Sequence, residues 1–81
     1  MTPVAFKRLD VRKLIVAGIE PFPEIRKRVD ELKAGEGIAV IAPFLPSPLI
    51  EKLRSENFQS RAEPQSDGSW ITYFWRKVAE Q

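Results

Sequence analysis

Thirteen basic side chains, eleven acidic ones and a single tyrosine are the ionisable groups of this chain, which contains neither cysteine nor histidine. Without a thiol there is no thiolate nucleophile, no persulfide carriage, no disulfide staple and no zinc site built on sulfur. Without imidazole the chain lacks the side chain most used for proton transfer near neutral pH and the commonest metal ligand. The carboxylates that remain are not spaced for acid/base work. Asp30 and Glu31 are sequence neighbours on a helical stretch and project from different parts of its surface. There is no glycine-rich phosphate loop, no metal-ligand cluster and no nucleophile beside a base. The expectation is a protein that is not an enzyme and takes no cofactor and no metal.

Residues suited to recognition are easier to find. Glu20 precedes Pro21-Phe22-Pro23, where a carboxylate can satisfy the free amides of a helix start. Asp10 and Arg12 are spaced to pair, and a free Arg12 beside a helix start would suit a small anion. Phe44 and Leu45 stand between prolines in Pro43-Phe44-Leu45-Pro46-Ser47-Pro48, a connection stiffened against collapse. Trp70, Thr72 and Phe74 alternate with Ile71, Tyr73 and Trp75, so both sides of the last strand carry aromatic rings.

The elements that position these residues follow from periodicity. Val4–Val11 alternates loosely and suits a first strand with one buried side, and Leu14–Gly18 suits a short helical turn. A helix opens at Glu20-Pro21-Phe22-Pro23, because proline belongs in a first turn where its missing N–H costs nothing. Phe22, Ile25, Val29 and Leu32 form its apolar face, Glu24 and Arg28 are spaced to pair, and Lys33-Ala34-Gly35 ends it. Ile38–Ala42 is uninterruptedly apolar, as expected of a central strand. Ser47 and Pro48 then start a second helix, with Ser47 as cap, Leu49, Ile50 and Leu53 facing inward, and a fade near Asn57. Phe58–Glu63 and Trp70–Lys77 read as two more strands joined by Ser66-Asp67-Gly68-Ser69, whose Asp-Gly supplies the positive φ of a tight turn.

The fold class expected is α+β: a two-layer α/β sandwich in the order β-α-β-α-β-β, with a mixed four-stranded sheet. Right-handed crossovers place both helices on one face and leave the other open. At 81 residues the chain has room for one core, and a single domain over residues 1–81 is expected. An apolar fraction of 43% with 30% charged residues is ordinary for a globular protein. Such a short chain buries only about 60% of its unfolded surface, so apolar surface left open is informative. Its net charge of +2 comes from a small local surplus at Lys7, Arg8, Arg12 and Lys13, which is weak support for nucleic-acid binding. No stretch approaches the roughly 20 apolar residues of a membrane span, and Lys7, Arg8 and Asp10 interrupt any signal-peptide pattern near the N-terminus. A cytoplasmic protein with no membrane association is expected.

Leu9-Asp10-Val11-Arg12, Gly18-Ile19-Glu20-Pro21-Phe22-Pro23 and Ala42-Pro43-Phe44-Leu45-Pro46-Ser47-Pro48-Leu49, in this order, resemble the domain-of-unknown-function 2249 family over about residues 9–77. That family is similar in turn to the TusA/SirA-like sulfur carriers, which share the β-α-β-α-β-β fold and carry a Cys-Pro-x-Pro motif at the first helix. Glu20 stands where that cysteine would be, and a carboxylate cannot accept and pass on sulfur. The resemblance therefore implies the architecture and a docking surface, and it does not carry over the chemistry.

The function expected is a non-enzymatic interaction module that binds a protein partner or a second copy of itself. Its candidate contact residues are Asp10, Arg12, Glu20, Phe22, Phe44, Tyr73 and Trp75. Two alternatives stand beside it: a small-anion-binding accessory to a redox or sulfur-transfer system, and an RNA-binding sheet.

Overall fold

The computed structural model describes residues 5–76. Val4 and Lys77, expected at the two ends of the sheet, lie outside the described residues. The elements are β1 (Ala5–Asp10), α1 (Arg12–Val16), α2 (Phe22–Asp30), β2 (Glu36–Ala42), α3 (Ser47–Arg54), β3 (Phe58–Pro64) and β4 (Trp70–Arg76). They form one four-stranded mixed sheet in the order β1-β2-β4-β3, with β1 parallel to β2 and β4 antiparallel to both of its neighbours. The two-layer α+β architecture expected from the sequence is the one found. The short helical turn expected at Leu14–Gly18 is present as the five-residue α1, which begins two residues earlier, at Arg12.

The core follows from alternation. Ile38, Val40 and Ala42 of β2 share a face with Thr72 and Phe74 of β4, because they are directly paired across the ladder. On that face they meet Ile25, Val29 and Leu32 from α2 and its C-terminal turn, and Leu49 and Leu53 from α3. Val29, Phe74 and Thr72 have no solvent exposure. The Thr72 hydroxyl is the one polar side-chain atom among the described residues that is buried without a hydrogen-bond partner.

Both helix ends depart from the sequence expectation. Helix α2 stops at Asp30, before Lys33-Ala34-Gly35, and Gly35 instead takes a φ of +81° in the turn that starts β2. In that turn Lys33 N–H donates to the Glu36 carboxylate at 2.8 Å, closing the chain without further helix. Ser47 does not cap α3. Pro46 holds the cap position, and Ser47 is already helical, its N–H donating to the Leu45 carbonyl at 2.9 Å. Successive prolines at 46 and 48 define the first turn and leave no need for a hydroxyl cap.

The expected Glu24–Arg28 pair is formed at 2.9 Å. Arg26 adds a cross-element tie, reaching Asp30 at 2.7 Å and Glu56 at 2.8 Å, which joins α2 to the turn after α3.

Candidate functional site

The chain makes two turns at one end of the sheet, and they face each other. Segment 18–22 brings the chain from α1 into α2, and segment 43–48 brings it from the C-terminal end of β2 into α3. Between them opens a cleft of about 470 Å³, with Val40, Ala42 and Val11 among its lining residues and Ile19, Phe22, Phe44 and Leu49 on its walls. That volume lies within the range of small-ligand pockets. Among its lining residues Glu20 is the single charged side chain, and every other one is apolar or glycine.

Local chemistry explains why the walls hold this shape. Gly18 takes a φ of +76°, which reverses the chain after α1 at a position where a side chain would be strained. Ile19 N–H then returns to the Leu14 carbonyl at 2.8 Å, pinning the turn to α1. Glu20 Oε1 accepts the Phe22 N–H at 3.1 Å, the capping role expected of it. Pro23 brings no N–H, and Ile25 N–H donates to the Pro21 carbonyl at 3.1 Å. The start of α3 repeats the pattern, with Ser47 N–H on Leu45, no N–H at Pro48 and Ile50 N–H on Pro46. Both helix starts thus offer the cleft few free amides, and its polar character rests on the Glu20 carboxylate.

The rim is apolar as well. Of the described residues, the exposed large hydrophobics are Phe6, Val16, Ile19, Phe44 and Leu45. Three of these five belong to the two segments that enclose the cleft, with exposures of 53% for Ile19, 50% for Phe44 and 40% for Leu45; Val16 ends α1, ahead of those segments. Covering these three would release roughly 2–4 kcal/mol of hydrophobic free energy. That is no more than the cost of association itself, so a partner must also fill the cleft to bind well.

Asp10 and Arg12 serve a different purpose. The Arg12 guanidinium donates to Asp10 at 3.0 and 2.7 Å, and its other arm reaches Asp67 of the β3–β4 turn at 3.4 Å. Hydrogen bonding from Arg12 holds the Asp10 carboxyl at a pKa lowered to about 2. The Asp67 carboxyl is also lowered, first by the Ser69 hydroxyl that donates to it at 2.6 Å. This is the structural ion pair weighed from the sequence, and it ties β1 to the hairpin. Arg12 is therefore engaged and does not line the cleft, to which α1 instead presents Ile15.

Tyr73 and Trp75 sit on the sheet face opposite the helices, as the pairing of their neighbours Thr72 and Phe74 with the core requires. They are only half exposed. Phe6 from β1 packs edge-on against both, with ring centroids 5.0 Å from Tyr73 and 6.0 Å from Trp75. It can do so because Gly37 lies between them; a Cβ there would come within 2.7 Å of the Phe6 ring and 2.6 Å of the Phe74 carbonyl. The Trp75 indole N–H donates to Gln59 at 2.9 Å. Beneath these side chains Ala39 and Ile41 are 7% and 2% exposed, so this face covers much of itself.

The structure thus brings Glu20, Phe22 and Phe44 together in one cleft, sends Asp10 and Arg12 to the hairpin, and leaves Tyr73 and Trp75 on the far face. Ile19 was missed as a rim residue, although an isoleucine between Gly18 and Glu20-Pro21 is an apolar residue in a turn. Phe6 was missed as the lid of the open face, and only strand register reveals that it lies over Gly37.

The family model described as "Uncharacterized conserved protein (DUF2249)" matches residues 8–76. Neither the curated proteins nor the solved structures contain a match to the chain.

Proposed function

The chain belongs to the DUF2249 family of uncharacterized conserved proteins, and from that premise we propose that it is a binding module that docks a protein partner at the cleft between α2 and α3 and acts by contact, not by making or breaking covalent bonds. The observation that carries this reading is the concentration of exposed large apolar side chains, three of the five among the described residues, around a preformed cleft at one end of the sheet. Contiguous exposed apolar surface on a small domain marks an interaction site. A lining with one carboxylate and no second titratable group supports binding over catalysis. A cytoplasmic setting is part of the same reading; no described helix is long and apolar enough to cross a membrane.

Parallel capture on immobilised wild type, Phe44→Ser and Trp75→Ser tests the site. The expected result is a protein retained by wild type and Trp75→Ser and lost with Phe44→Ser. Loss with Trp75→Ser alone would move the docking surface to the sheet face. Light scattering over a dilution series separates a different partner from a second copy of the chain.

A second reading, RNA on the open sheet face, is favoured by one observation: Arg8, Tyr73 and Arg61 lie in a single row across the strands. Against it, Arg61 already pairs with Glu63 at 3.2 Å, and Asp10 and Glu63 form the adjoining row. Retention on RNA with a steep salt dependence would support it.

A further inference from the structure

We infer that the segment docking in the cleft carries a lysine or arginine among apolar side chains, and that this cation is placed against Glu20. The inference rests on reading the cleft as the docking surface, and it names the chemistry of what docks there. Its basis is charge complementarity in a site with a single charge: Glu20 is the one charged residue of the lining, and the walls around it are apolar. Lysine and arginine match such a site particularly well, because each lays an aliphatic stem along apolar surface and ends in a cation.

The competing expectation is an anion, since two helices begin at the cleft and helix N-termini favour negative charge. The local hydrogen bonding removes most of that capacity. In α2 the Phe22 N–H is held by Glu20 itself and Pro23 has none, which leaves the Glu24 N–H as the unpaired amide of the first turn. In α3 the Ser47 N–H donates to Leu45 and Pro48 has none, which leaves the Leu49 N–H as the unpaired amide of the first turn. The Arg12 guanidinium, the cation that an anion site would have used, is turned to Asp10 and Asp67. A full carboxylate charge also outweighs the roughly half charge of the helix end beside it. What the cleft presents to a ligand is therefore a hydrophobic trough with one acceptor at its edge.

The test uses the full chain, labelled with nitrogen-15, and three capped peptides on one apolar frame: Leu-Phe-Lys-Leu, Leu-Phe-Gln-Leu and Leu-Phe-Glu-Leu. Saturable shifts are expected in the amides of residues 15–22 and 42–49, with the lysine peptide about threefold tighter than the glutamine peptide and the glutamate peptide weakest. In Glu20→Gln the lysine and glutamine peptides should bind equally. That variant keeps the cap, because the carboxamide oxygen can still accept the Phe22 N–H. A glutamate peptide binding as tightly as the lysine peptide, or a lysine preference that survives Glu20→Gln, overturns the inference and leaves the docking reading intact. Absence of any shift in these amides overturns both. Shifts of the same amides with protein concentration alone would identify a second copy as the occupant, and hexylammonium binding where the lysine peptide does not would identify a small amine; either result overturns the proposal.

Discussion

The two aromatic regions of this domain solve opposite problems. On the open sheet face Phe6, Tyr73 and Trp75 pack edge to face, Trp75 is tied to Gln59, and the β2 residues beneath are buried. At the cleft Ile19, Phe44 and Leu45 face water with no such cover, held apart by proline-bearing turns. The first arrangement has spent its apolar surface on stability. The second keeps its surface available for a partner. Aromatic content alone therefore does not locate an interface; what matters is whether neighbouring strands can reach the rings.

If that contrast holds, substitutions on the sheet face should cost stability and spare binding, and those at the cleft the reverse. The largest effect is expected for Gly37→Ala, whose new Cβ meets the Phe74 carbonyl as well as the Phe6 ring. Moving the ring cannot relieve a backbone clash, so a loss of about 1–3 kcal/mol is expected in urea unfolding. Phe6→Ala should follow, losing two edge-to-face contacts for about 1–2 kcal/mol, with peptide binding at the cleft unchanged. On the helix-covered side of β4, Thr72→Val should raise stability by about 1 kcal/mol, because it removes a buried hydroxyl that has no partner. Phe44→Ser should change stability by less than about 0.5 kcal/mol while abolishing peptide-induced amide shifts. If it unfolds the domain instead, Phe44 belongs to the core and the contrast collapses.

The smallest effect concerns acid. Asp10 is depressed below the usual carboxylate range, so its pairing stabilises the fold above the unfolded pKa near 3.8 and is lost as pH falls through about 2. Its carboxylate and the Arg12 side chain are partly solvated, which weakens the pair. Arg12→Ala should therefore lower the thermal midpoint slightly at pH 7, where the pair is fully formed, and hardly at all at pH 2, so that the decline between pH 4 and pH 2 is flatter than in wild type.

Much of the fold was legible because its signals are local. The prolines at 21, 23, 46 and 48 mark where helices start, and the apolar run Ile38–Ala42 marks a strand between others. Asp67-Gly68 marked the hairpin, and Gly68 does take a φ of +88° there. Helix ends were less legible: α2 stops at Asp30 because the Lys33–Glu36 contact closes the chain first, and a side chain bonding to a backbone amide three residues away leaves no periodic trace. Glu20, Phe22 and Phe44 were each visible as recognition residues from their own neighbours in sequence. That they share one cleft was not visible, because it depends on β2 running beside β1 so that two turns more than twenty residues apart meet at the same sheet edge.

By itself the sequence determined what the chain is made to do locally: where it turns, which helix faces are apolar, and that sulfur and imidazole chemistry are closed to it. Only the tertiary structure decided which side of the last strand is covered, that Arg12 is engaged by a hairpin more than fifty residues away, and which apolar residues remain exposed. Periodicity and capping act within a few residues, whereas burial and charge pairing depend on distances that strand register sets across the whole chain.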